Sequence, residues 1–227
     1  MAVAVPDALA PPQTGGVDCL YVDDDLLVLA KPSGLLCVPG RGPDKQDCLS
    51  HRAQQQWPGA LVVHRLDQAT SGLVLMARHL DAQRRMSHAF AERQVQKRYE
   101  AIVAGHMAAP THGDWAEINL PIAADWERRP LRVIDPVLGK PSLTRWRALA
   151  HDESANTTRI ELEPVTGRTH QLRVHLAAVG HAILGDALYA DAVIHAQHPR
   201  LLLHAAWLAF EHPATGQRIE ISLPAPF

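Results

Sequence analysis

The sequence predicts an α+β fold, with a mixed, mostly antiparallel sheet and about three helices in a single domain. Three observations carry that expectation. Short apolar or alternating runs, bounded by Gly, Pro and Asp, recur from residue 20 to residue 223 in the manner of strands and turns. Only three stretches space their apolar residues for a helix. A length of 227 residues with 47% hydrophobic composition is ample for one core, and no linker or low-complexity run divides it.

Taken in order, residues 1–16 read as a loose leader, with Pro6, Pro11, Pro12, Gly15 and Gly16, and the ordered domain is expected over 17–227. Leu20 to Val22 and Leu26 to Ala30 flank Asp23, Asp24 and Asp25 as strand, acidic turn and strand. KPSGLLCVPG, residues 31–40, then breaks regular structure, and Lys31 is expected to be an exposed structural lysine, with contact to a phosphate as the alternative. Residues 47–57 suit a short helix closed by Pro58 and Gly59. Leu61 to Val63 lead into HRLDQATSGLVLMAR, residues 64–78, a polar loop pinned to an apolar run of the size of a buried strand.

Beyond it, Ala82, Met86, Ala89 and Phe90 recur at helical spacing with Arg84 and His88 on the opposite face. Residues 97–105 read as a strand, and residues 106–147, with several Pro and Gly and with Trp115, Trp126 and Trp146, as strands and long loops. Arg128, Arg129 and Arg132 suit a loop reaching over a polyanion. Arg159 to Glu163 alternates as a strand with one wet face. Leu172, Leu176 and Val179 share a helical face that Gly180 would stop. Residues 200–213 and 217–227 complete the chain as two strands.

The formal charge is −2, from 24 acidic and 22 basic residues, so the whole is not basic. Residues 1–30 carry five Asp and no Lys or Arg, whereas residues 78–98 and 126–147 each carry six Lys or Arg against two acids. Segregation of this kind can build a local face for phosphates. The apolar runs fall far short of a membrane span and the start lacks the pattern of a signal peptide, so a cytoplasmic protein is expected. Cys19, Cys37 and Cys48 are odd in number and not spaced as a metal knuckle.

Residues 64–71 place His64, Arg65, Asp67, Thr70 and Ser71 together, held at one end by the buried run. A reacting group needs such rigidity, and Asp67 is the candidate. A plain turn uses the same residue types, so the pattern alone leaves both readings open.

The stretch resembles the central motif of the RluA family of pseudouridine synthases, in which the Asp after His-Arg-Leu is catalytic and Thr-Ser-Gly follows. Lys31 to Gly34 resembles the Lys-Pro-Ser/Ala-Gly segment of that family, Tyr99 its Lys-x-Tyr position, GRTHQLRVH from Gly167 its Gly-Arg-x-His-Gln-Leu/Ile-Arg-x-His motif, and Leu203 to Ala205 its Leu-His-Ala strand. Ala182 departs from the pattern, since relatives usually carry Pro after Gly-His; the change should alter loop stiffness rather than chemistry.

The resemblance implies a long bent mixed sheet with a central catalytic cleft, and isomerisation of uridine in RNA without metal or cofactor. Asp67 would be the reacting carboxylate. Arg173 would be its charge partner, opposing the rise in pKa that burial brings. Tyr99 would lie against the flipped base and handle the C5 proton. Arg65 would occupy the space the uridine leaves on flipping. RNA contacts are expected from His64, Arg65, Thr70, Arg84, Arg128, Arg129, Arg168 and Leu172.

Two other classes compete. A metal hydrolase is prompted by 14 His, but His170 and His175 lie five apart, where helical ligands sit at i and i+4. A noncatalytic RNA-binding module would share the basic segments yet gives no reason for Asp67. A Ser71 nucleophile lacks the Gly-x-Ser-x-Gly elbow. Because the family matches begin near residue 21, without the separate RNA-binding domain many relatives carry, recognition is expected from a monomeric catalytic domain. Its expected partners are structured RNAs, namely stem-loops of 23S rRNA and the tRNA anticodon arm, with another rRNA site as the alternative.

Overall fold

The computed structural model describes residues 16–108 and 114–227. The expected leader lies outside them, except for Gly16. In chain order the described elements are β1 Asp18–Val22, β2 Leu26–Lys31, α1 Leu49–Gln56, β3 Leu61–Val62, β4 Ser71–Ala77, α2 Leu80–Ala91, β5 Gln96–Ala104 and β6 Ala116–Asn119. There follow β7 Ile122–Ala124, β8 Arg132–Ile134, β9 Leu143–Asp152, β10 Thr157–Pro164, α3 Gln171–Ala178, α4 Ala192–Ala196, β11 Leu203–Glu211 and β12 Arg218–Ser222. The fold is α+β, and its sheet is mixed and mostly antiparallel. The described residues form two compact units, one of residues 16–97 with 204–226, the other of residues 98–203 with Phe227.

In the first unit the strands run β1-β2-β4-β11, with β3 also on β4 and β12 on β11. Only the β4–β11 pair is parallel within it. All seven residues of β4 are buried, which is why its sequence is a continuous apolar run rather than an alternating one. Leu26, Val28, Leu73, Leu75, Leu208 and Phe210 form the core with Ala82 and Met86 of α2. Burying each large side chain contributes about 1.5–3 kcal/mol. Arg84 and His88 lie exposed on the other face of α2, as the spacing requires.

β4 can approach β11 so closely only because Gly72 lacks a side chain. It pairs with Ala205, and a Cβ there would lie 2.4 Å from the Ala205 carbonyl oxygen; its φ of +115° also favours glycine.

The acidic turn between β1 and β2 is a clasp. Asp23 Oδ1 accepts from the Asp25 and Leu26 amides at 2.8 and 2.7 Å, and Oδ2 accepts from Tyr21 and from His212 Nε2. Asp23, Asp25 and His212 bring potential metal-ligand atoms within 4.8 Å of one another. The His212 Nδ1, however, faces the Ala214 and Thr215 amides, which donate to it at 3.3 and 3.2 Å. That fixes the proton on Nε2, so toward Asp23 the ring is a hydrogen-bond donor rather than a ligand.

In the second unit β5, β10, β9 and β6 follow in order, all antiparallel, beside the two-stranded ribbon β7–β8. On β10, Ile160 and Leu162 are buried, while Glu161 pairs with Arg147 at 2.6 Å and Glu163 with Arg145 at 3.2 Å on the wet face.

Two expectations need correction. α3 has no single apolar face: Gln171 to Leu176 are all buried, and Val179 is its exposed C-cap. The enclosure is tolerated because the polar members are satisfied. Gln171 donates to the Leu143 carbonyl and Thr144 Oγ1, and His175 bonds Thr144 Oγ1 and the Leu120 carbonyl, each at 2.9–3.0 Å. Burial pushes the His175 imidazole below its ordinary pKa, so it stays neutral. There is also a fourth α-helix, α4, too short for a periodic signal and started by the Asp191 side chain accepting from the Ile194 amide at 2.8 Å.

Candidate active site

In the first unit, the loop between β3 and β4 holds Asp67 by fixing nearly every residue around it. His64 Nε2 accepts from the Leu75 amide at 3.0 Å, and its ring stacks on Phe90 with centroids 4.3 Å apart. The Leu66 amide donates to Cys37 Sγ at 3.2 Å. Ser33 Oγ donates to the Ala69 carbonyl at 2.6 Å, and the Thr70 amide to that of Asp67 at 3.2 Å. Ser71 Oγ donates to His204 Nδ1 at 2.9 Å, whose Nε2 donates to the Leu223 carbonyl at 3.1 Å.

The strongest of these ties is Lys31. Far from being exposed, it is 1% accessible at the end of β2. Its ammonium donates to the carbonyls of Pro32, Leu35 and Gln68 at 2.8, 2.7 and 2.9 Å. An ammonium carries three N–H donors and no acceptor, so a cage of carbonyls matches it chemically. Gln68 also accepts from the Gly34 amide at 2.9 Å and donates from its side chain to the Gly34 carbonyl at 3.0 Å. The KPSG segment is thus a bracket for the residue after Asp67. Its position at the end of an apolar strand was the only signal of burial.

Within this loop Arg65 is exposed and Asp67 half-buried. Burial, reinforced by the Lys97 charge, pushes the His64 imidazole down to about 3, so it is neutral and engaged by Leu75 and Phe90. Thr70 is buried, with no hydrogen-bond partner for Oγ1 among the described residues.

The second unit places the other expected residues. Tyr99 on β5 lies opposite Leu162 and alternates onto the face of the buried Ala101 and Val103, away from Arg98 and Glu100. Arg173 is 4% accessible, and Asp186 grips it through two parallel bonds, Nε to Oδ2 at 2.8 Å and Nη2 to Oδ1 at 2.6 Å. Such a fork fixes a guanidinium in orientation as well as charge. Asp186 Oδ1 also accepts from the Leu188 and Tyr189 amides at 2.9 and 3.2 Å, and the Tyr189 ring lies 5.1 Å from the guanidinium carbon.

Tyr189 extends the arrangement. Its hydroxyl accepts from the Arg132 amide at 3.0 Å and bonds His170 Nδ1 at 2.7 Å, tethering the β7–β8 ribbon to the start of α3. His170 is therefore an N-cap residue with φ of 57°, not a member of the helix. Arg168 bonds Gln171 Oε1 through its amide at 3.0 Å, and Arg128 and Arg129 are exposed in the β7–β8 loop. Leu172, 7% accessible, packs within α3's surroundings rather than at the surface. Asp186 and Tyr189 are the residues that sequence reasoning missed; Asp186 closes the stretch GRTHQLRVHLAAVGHAILGD, but its type alone did not mark it as a partner.

A half-buried carboxylate on a braced loop, with an exposed arginine two residues before it, is suited to a reaction that flips a base and works on its glycosidic bond. The family model for RNA pseudouridylate synthases matches residues 25–178, and the chain belongs to that family of RNA-modifying isomerases. It is 44% identical to the dual-specificity RNA pseudouridine synthase RluA of Pasteurella multocida, and likewise 44% to that of Escherichia coli K12. Each comparison spans 96% of this chain and 97% of the relative. Among solved structures, human RNA pseudouridylate synthase domain containing 1 superposes with a TM-score of 0.77 at 30% identity, covering 93% of this chain and 84% of that one. Human RNA pseudouridylate synthase domain containing 4 gives 0.71 at 25%, covering 93% and 88%. No helix among the described residues is long and apolar enough to cross a membrane.

Proposed function

We propose that residues 17–227 act as one catalytic domain that isomerises uridines in the loops of small RNA hairpins, in 23S rRNA and in the tRNA anticodon arm. The observation that carries this is the bracing of Asp67: its neighbours on both sides are hydrogen-bonded to the fold, while Asp67 itself is half-buried and Arg65 is exposed. The named relatives are dual-specificity enzymes, which supports two targets rather than one.

In the reaction the N1–C1′ bond breaks, the base turns, a C5–C1′ bond forms, and the C5 proton leaves while N1 gains one. Atoms and electrons balance without a cofactor. Asp67 carries the separated halves, by attack on C1′ or by abstraction of a sugar proton. Arg173, whose guanidinium Asp186 holds in a fixed orientation through two bonds, is the residue that the family resemblance implies as its charge partner. Tyr99 accompanies the flipped base and receives the C5 proton. Arg65 fills the vacated stack, and Arg84, Arg128, Arg129 and Arg168 meet phosphates. His64, Thr70 and Leu172 serve by holding the loop and α3 in place, since all three side chains are engaged or enclosed by the fold. The same reading makes the protein a monomer of the cytoplasm.

The test is to incubate the protein with an isolated anticodon stem-loop, the corresponding 23S rRNA hairpin, and versions with scrambled loops, and to map pseudouridine in each. Both native loops should be modified and neither scrambled one. Activity confined to an assembled ribosomal particle would defeat the hairpin proposal.

A further inference from the structure

The β7–β8 loop of the second unit carries an aromatic side chain that the reaction above does not use. Trp126 is 72% exposed, the most accessible of the large aromatic groups, in a turn closed by hydrogen bonds. Asp125 accepts from the Arg128 amide and from Arg128 Nε at 2.9 and 2.8 Å, and the turn closes through the Asp125 amide to Leu131 and the Leu131 amide to Arg128 at 3.1 and 2.9 Å. The Arg132 amide is anchored to Tyr189 at the base of the ribbon. The indole is therefore presented by a braced hairpin rather than by a loose loop.

One face of the ring is occupied. The Arg129 guanidinium lies 4.0 Å from the ring centroid, within cation–π range. With 72% of the residue accessible, the opposite face is open to solvent. The turn and the strand after it carry Arg128, Arg129 and Arg132 against Asp125 and Glu127, and Asp125 is taken up by Arg128. Arg132 Nε is in addition a buried donor with no hydrogen-bond partner among the described residues. An open π-face with cations beside it matches a nucleotide on both counts, since every base has a face to stack and every nucleotide a phosphate to neutralise.

We propose that Trp126, backed by Arg129, is a stacking platform for one unpaired base of the RNA substrate. The proposal rests on the RNA-modifying reading and adds to it a recognition element for single-stranded nucleotides. Stacking is tolerant of base identity, so the platform senses that a base is unpaired and splayed out rather than which base it is. It would favour loops over duplexes of equal charge.

Affinities of wild type, Trp126→Ala and Trp126→Phe are to be measured for a hairpin with an unpaired loop and for a perfect duplex of the same length. Pseudouridine formation in the hairpin is followed in parallel, and circular dichroism checks the fold. Trp126→Ala should bind the hairpin about tenfold more weakly, the size of one lost stack, and the duplex unchanged, because phosphate contacts remain. Trp126→Phe should retain most of the affinity. The chain has five tryptophans, and the part of the fluorescence quenched by the hairpin in wild type should vanish in Trp126→Phe. Equal hairpin binding and equal quenching in wild type and Trp126→Ala would overturn the platform, as would equal weakening on hairpin and duplex. If wild type modifies the hairpin while the variants behave identically, the platform alone falls; if wild type neither binds nor modifies RNA, the functional reading falls with it.

Discussion

Lys31 Nζ donates to the Gln68 carbonyl at 2.9 Å, so the end of β2 holds the residue that follows Asp67. Replacing Lys31 with Met keeps much of the volume but leaves the carbonyls of Pro32, Leu35 and Gln68 without their donor. The expected loss is at least about 3 kcal/mol of stability, with turnover reduced more than RNA affinity because the loop loosens around Asp67. Guanidinium unfolding and single-turnover assays check this. A folded variant with unchanged turnover would show that the loop stands without its bracket.

Asp67→Asn is isosteric but neither nucleophile nor base. Turnover should fall at least about a thousandfold while hairpin affinity stays within a few-fold of wild type. Residual activity near wild type would remove Asp67 from the reaction.

Asp186→Asn leaves the shape of the Arg173 pair and removes its charge. A buried guanidinium without its carboxylate costs about 3–5 kcal/mol, read as a lower midpoint in thermal unfolding. The rate at saturating RNA should fall too, since Arg173 loses its fixed orientation. Wild-type rate in a destabilised variant would limit Asp186 to a role in folding.

His64 is held neutral, its pKa pushed from 6.5 to about 3. The unfolded chain takes up this proton below about pH 6.5 and the folded chain does not until about pH 3. Its contribution is therefore complete above pH 6.5 and is lost as pH falls, by about 1.4 kcal/mol for each unit between those values. Urea unfolding from pH 7 to pH 4 should show a gentler decline for His64→Gln than for wild type. Parallel declines would mean that His64 is protonated in the fold.

RNA affinity should fall steeply with salt, and Arg84→Ala, at an exposed position on α2, should lower the slope of log affinity against log salt by about one. A slope equal to wild type would take Arg84 out of the phosphate-binding face.

The strand-turn-strand opening, the buried run of β4 and the two-faced α2 were legible because hydrophobic period and turn chemistry both pointed the same way. α3 was misread in one respect. Its polar Gln171, Arg173 and His175 look like a wet face, yet each finds its partner inside, in Thr144, Asp186 and the backbone. Lys31 failed for the same reason, since a lysine's type predicts exposure and only three carbonyls, two of them close in sequence, reverse it. The reactive loop was found through its motif, while the residues that orient it belong to distant segments that no local pattern connects.

The pairing of β4 with β11 fixes the order in which the molecule can be completed on the ribosome. Residues 16–97 emerge early, but Ser71 and Gly72 take their partners from His204 and Ala205, after the whole intervening second unit has been made. At roughly ten residues per second that interval is about ten seconds. During it, β4 presents backbone donors, acceptors and an apolar strand to the surroundings, the kind of surface that chaperones cover and that aggregates otherwise recruit. Nascent chains released before residue 205 should accordingly be the insoluble ones, and the loop that carries Asp67 becomes rigid only after His204 and Ala205 have been made.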